Sequence, residues 1–113
     1  SYYLNMIPQT SDPKIAAASV FSVVRNVSVP YGIGTPDQPH LSNTRWRVVA
    51  DQRNLIYYFE NVLNPNVVWV DLKKVNFENK AGVRKLTLDK GQTYAGESSS
   101  FFEPSAPLKF QGL

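Results

Sequence analysis

The chain has 113 residues, enough for one domain or part of one and too few for two. With 42% hydrophobic, 12% aromatic and 19% charged residues, it is excluded from the disordered class. Twelve Lys and Arg against nine Asp and Glu leave +3 in runs of at most two, so no basic stripe for nucleic acid exists, and the absence of Cys excludes a disulfide framework, a Cys-ligated zinc and a thiol nucleophile within these residues.

Residues 1–7 (SYYLNMI) read as a helix end stopped by Pro8. A start without Met inside a helical stretch reads as a fragment or a processed chain, and the first residues, Ser-Tyr-Tyr-Leu, show neither the basic nor the apolar region of a signal peptide. Asp12 followed by Pro13 is a helix-start signal, because the carboxylate can cap free N–H groups and Pro fits the first turn. Residues 14–26 are then expected to be helical, with Ala17, Val20, Phe21, Val24 and Val27 along one apolar face. Residues 28–43, with three prolines and two glycines, read as a long loop.

Residues 44–51 alternate as a strand, with Trp46, Val48 and Ala50 opposite Arg45, Arg47 and Val49. Residues 55–61 and 67–72 read as two further strands, joined by polar turns into an antiparallel meander. Residues 83–88 are expected to form a fourth strand, residues 91–100 a polar loop, and the tail bearing Phe101, Phe102 and Phe110 to dock on a larger body. The three main strands are apolar on both faces, and one helix cannot cover two faces. Further polypeptide is therefore expected to cover the rest. No apolar run reaches the ~18–20 residues that a membrane span needs.

Motifs for chemistry are sparse. His40 is the only histidine and has no second His or Cys to join it in a metal site, so a surface loop position is expected. Gly32-Ile33-Gly34 follows no strand and reads as loop. Asp51, Glu60 and Asp71 fall at strand ends, where carboxylates ordinarily face water. Arg45 and Arg47 read as a solvated basic face, and Trp46 and Trp69 as core. A first-residue Ser can attack an amide with its own α-amine as base. Enzymes of that kind place it at the start of a strand in a four-layer body, whereas Ser1 opens a helix-like segment, so Ser1 reads as a boundary. No catalytic, cofactor-binding or metal-binding residue is assigned to this chain.

Residues 44–72 (TRWRVVADQRNLIYYFENVLNPNVVWVDL) carry a T-x-W-x-V-V-x-D run, a Y-Y-F strand and V-W-V-D-L. Together with the helix and V-P-Y-G loop ending at Gly32, and the tail from Tyr94 to Phe110, this resembles the C-terminal part of the choloylglycine hydrolase and penicillin V acylase family. The resemblance implies an α+β fold, namely part of an αββα N-terminal nucleophile hydrolase sandwich, with an antiparallel meander and a packed helix. Residues 1–113 would be the C-terminal part of one such domain. It implies hydrolysis of linear amides by an N-terminal Cys outside this chain, no cofactor, and no catalytic position here; Arg25 lies beyond the helix that carries the family's catalytic Arg. The partners implied are the N-terminal part of the same protein, a small-molecule amide and a homotetramer, with neither nucleic acid nor membrane. Gram-negative members are often periplasmic. The alternative is a free-standing β-rich binding module without catalytic activity.

Overall fold

The computed structural model describes residues 2–88 and 90–110. Helix α1 covers Tyr2–Met6 and α2 covers Pro13–Asn26. The start of α2 is set by Asp12, whose Oδ1 accepts from the N–H of Lys14 at 2.8 Å and of Ile15 at 3.4 Å, with Pro13 in the first turn where no N–H is needed. The long loop that follows is tied at its ends: Val29 N–H donates to Thr44 Oγ1 at 3.0 Å, and Thr44 N–H to the Val29 carbonyl at 3.1 Å.

Strands β1 (Trp46–Asp51), β2 (Ile56–Asn61) and β3 (Val67–Asp71) form the expected antiparallel meander. The register pairs Val49 with Tyr58 and Tyr58 with Trp69 on one face, and Val48 with Phe59 and Phe59 with Val68 on the other. Helix α2 lies on the first face. Ala17 and Phe21 meet Val49 and Tyr58 in the core, the Phe21 and Tyr58 rings edge to face at 6.1 Å. The mixed α+β architecture with a packed helix is as the sequence implied.

The remaining elements are short: β4 (Arg84–Lys85), β5 (Gly96–Glu97) and β6 (Glu103–Pro104). The strand expected over residues 83–88 is reduced to Arg84–Lys85, which pairs with Glu103–Pro104 outside the main sheet. Two adjacent cations cannot occupy a sandwiched position in an apolar sheet. The fourth place in the main sheet goes instead to β5, inside the stretch expected to be loop, running parallel to β3. Gly96 makes this fit: its φ is +77°, and the Trp69 ring lies 3.7 Å from where a Cβ would stand. Ser98, fully buried, extends the pairing with its N–H on the Trp69 carbonyl at 2.9 Å.

Trp46 departs from expectation. It is 62% exposed, because it begins an edge strand and its cross-strand neighbour is the polar Asn61. Trp69 is half-buried against Tyr58, its ring 5.7 Å away. Beyond α2, the helix-bearing face is open over β3. The opposite face is covered around Val68 by Leu88 and Tyr94, leaving Trp46, Ala50 and Tyr57 exposed. Total accessible surface is 9186 Å². A compact chain of this mass exposes ~6,200 Å². The radius of gyration is 16.8 Å, against about 13 Å for a compact domain of this length.

Candidate functional site

A polar cluster drawn toward the core joins α2, β1 and β2. On β2, residues 56, 58 and 60 share the face beneath α2, so Glu60 points where Ile56 and Tyr58 point. Glu60 is only 8% exposed. Its carboxylate is satisfied on both oxygens. Oε1 accepts from Arg25 Nη2 at 2.9 Å, and Oε2 from Arg25 Nε at 3.3 Å and Arg47 Nη1 at 3.2 Å. Arg47 Nε also donates to Ser28 Oγ at 2.8 Å, which in turn donates to the Val24 carbonyl at 2.7 Å. Arg25 reaches the site from the last turn of α2, its guanidinium 5.3 Å from the Phe21 ring centre.

Sequence reasoning placed Glu60 and Arg47 in water, and the structure corrects both. The available signal was the alternation itself: an acid two residues after Tyr58 on a helix-covered face must find a cation. With three charge-assisted bonds from Arg25 and Arg47, Glu60 braces the helix against the sheet. Arg45 is also engaged, over the Tyr31 ring at 5.5 Å.

The three carboxylates do not converge. The register sets Asp51 and Asp71 on either side of Ile56, while Glu60 lies four residues along the strand, about 13 Å away. Asp51 accepts from the Asn54 side-chain amide at 2.6 Å and its backbone N–H at 2.9 Å, and these bonds hold its carboxyl below the usual range. Asp71 accepts from the Lys73 N–H at 3.0 Å, capping the short turn Leu72–Lys74. Glu97 is a further anchor. Burial pushes its carboxyl up, but the Ser99 hydroxyl, the backbone N–H groups of Asp71 and Ser99, and Lys74 at 3.8 Å bring it below its ordinary value. Burial, reinforced by the charge of Asp51, pushes the Tyr58 phenol up.

His40 and Gly32–Gly34 are exposed in the long loop, and Ser1 lies outside the described residues. Among the described residues no group of three or more His, Cys, Asp and Glu could hold a metal ion, and no helix is long and apolar enough to cross a membrane. Among the described residues, an apolar groove of about 320 Å³ runs between α2 and β3, floored by Ile56, Tyr58, Val67 and Trp69 and flanked by Ala18 and Phe21.

A family model described as linear amide C-N hydrolases, choloylglycine hydrolase family, matches residues 1–85. A penicillin V acylase from Pectobacterium atrosepticum is 47% identical over 103 residues, which is 88% of this chain and 27% of that protein. The solved structure of penicillin V acylase from Agrobacterium tumefaciens superposes with a TM-score of 0.85 at 46% identity, covering 99% of this chain and 36% of that one. This chain therefore spans about a quarter to a third of the length of these relatives.

Proposed function

The chain belongs to the choloylglycine hydrolase family of linear amide C–N hydrolases, and from that premise we propose that it is the C-terminal part of a bacterial enzyme that cleaves the side-chain amide of penicillin V or a related linear amide. The likeness to two penicillin V acylases at 46–47% identity, one of them with the same fold across 99% of this chain, carries the reading. In the reaction so proposed, an N-terminal Cys thiolate outside these residues attacks the amide carbonyl. A tetrahedral oxyanion forms, the C–N bond breaks, and the amine leaves with a proton. Water then splits the acyl-enzyme thioester, releasing the acid and restoring the thiol.

The part of these residues is to hold the sheet and its covering helix in register. The Arg25–Glu60–Arg47 brace fixes α2 on β1 and β2, and no group here takes a proton or an acyl group. The test is to express the full gene product and follow hydrolysis of penicillin V before and after alkylation of its thiols. Hydrolysis abolished by alkylation is expected. A gene product that leaves penicillin V and other linear amides intact, or hydrolyses them unaffected by alkylation, overturns the reading.

A further inference from the structure

Leu55 is the one non-glycine residue with a positive φ among the described residues, at +59°. It closes the turn over residues 52–55 between β1 and β2, whose end residues Asp51 and Ile56 pair across the ladder. The turn is held from both ends. Asp51 accepts from the side-chain amide and the backbone N–H of Asn54, and the Leu55 carbonyl accepts from the Leu72 N–H at 2.9 Å. The backbone is thereby committed to the left-handed region at position 55. Glycine adopts that region freely and asparagine readily, whereas the Cβ of a leucine is pressed toward the following carbonyl oxygen. Leucine is the costly residue here.

Within these residues the side chain brings little in return. Leu55 is 46% exposed, follows the polar Gln52, Arg53 and Asn54, and is no member of the core around Phe21 and Tyr58. Its backbone partner Leu72, which opens the short turn after β3, is exposed as well. A strained residue of this kind persists where the surrounding structure holds and uses it. Two leucines beside a polar turn are too little for a second copy. Association costs translational and rotational freedom, and a standard interface takes about 800 Å² from each partner. A segment of the same gene product carries no such cost. The relatives hold about two thirds or more of their length outside the part that this chain matches, its coverage being 27% and 36%.

We propose that Leu55 is an anchor residue: it docks the tip of the β1–β2 hairpin, with Leu72 beside it, into an apolar pocket of the same gene product outside these 113 residues. This rests on the reading of the chain as one part of a longer hydrolase. The contact lies at the end of the sheet and concerns neither of its faces. Burial of the leucine in that pocket offsets the strain of its backbone, which is why glycine does not stand in its place.

The test is to express the full gene product with photo-leucine, a diazirine isostere that leaves the backbone unchanged, irradiate it, and separate the products on a denaturing gel. Mass spectrometry then identifies the peptide attached to Leu55. A crosslink to apolar residues outside residues 1–113, in the band of single-chain mass, is the expected result. A crosslink found only in the two-chain band, only within residues 1–113, or only to water overturns the inference. Melting temperatures give an independent readout. Leu55→Gly frees the backbone and removes the side chain, and with a filled pocket it should melt several degrees lower. An unchanged or raised melting temperature overturns the inference. Leu55→Ala keeps the strain and loses the side chain, so it should melt lower than Leu55→Gly, and equal values contradict the strain. A gene product that hydrolyses penicillin V while Leu55 meets only water loses the anchor and keeps the proposed function.

Discussion

Arg47 of β1 and Glu60 of β2 are cross-strand partners, and the guanidinium reaches the carboxylate at 3.2 Å with both side chains largely withdrawn from water. Arg25 closes the same carboxylate from α2. One acid thus ties three elements. A buried carboxylate with two cations is stable only as a set, because removing one member strands the others. Glu60→Ala in the full-length hydrolase should cost about 3 kcal/mol, since Arg47 is left buried without a partner. Thermal unfolding read by circular dichroism checks this, and Arg25→Ala should cost less because Arg25 remains half in water. Equal losses for the two variants would place the brace elsewhere.

Asp12 supplies the side-chain acceptor for the N–H groups of Lys14 and Ile15 in the first turn of α2. Asp12→Ala should destabilise by about 1 kcal/mol, and Asp12→Asn by less, because the amide oxygen can still accept. Denaturant melts of the two variants separate a capping role from a purely electrostatic one, for which Asn would be as damaging as Ala.

At Gly96, a Cβ would be strained by the positive φ and would stand in contact with the Trp69 ring. Gly96→Ala should therefore cost about 1 kcal/mol or more through the left-handed backbone alone, and it should loosen β5 from β3. Faster hydrogen exchange of the Ser98 amide, which donates to Trp69, is the specific signature. Unchanged protection would show that β5 does not depend on the glycine.

Asp51 and Glu97 both sit below their ordinary values of 3.8 and 4.5. A carboxyl whose folded pKa is depressed contributes stability above its unfolded pKa and loses it as the pH falls through the folded one. Stability should therefore drop on acidification below about pH 4.5, and the double variant Asp51→Asn, Glu97→Gln should show a shallower drop. Melting temperatures on a pH series make the comparison. An identical acid slope in the variant would remove these two groups from the acid response.

Much of this fold is written in local signals. Asp12-Pro13 marks the helix start and the Trp46–Asp71 alternation marks three strands and their faces, because capping and period-two patterning act within a few residues. What the chain hides is non-local. β5 is only Gly96–Glu97, and no propensity favours a strand there; it is held by pairing with Val68 and Trp69 of β3, with Gly96 supplying the positive φ. Glu60 reads as a surface acid until the helix 35 residues earlier brings Arg25 over it. Trp46 reads as core because a strand residue beside valines ordinarily is, yet it opens an edge strand whose outer side is bare. The groove beside α2 was legible only as an imbalance, two apolar faces for one helix.

The most direct measurement is the solution behaviour of residues 1–113 purified alone. If the open faces are made to be covered by the remainder of a hydrolase, the isolated chain should bind a hydrophobic dye such as ANS, self-associate on size exclusion and show no sharp calorimetric transition. A monomer that melts cooperatively and leaves the dye unbound would contradict it.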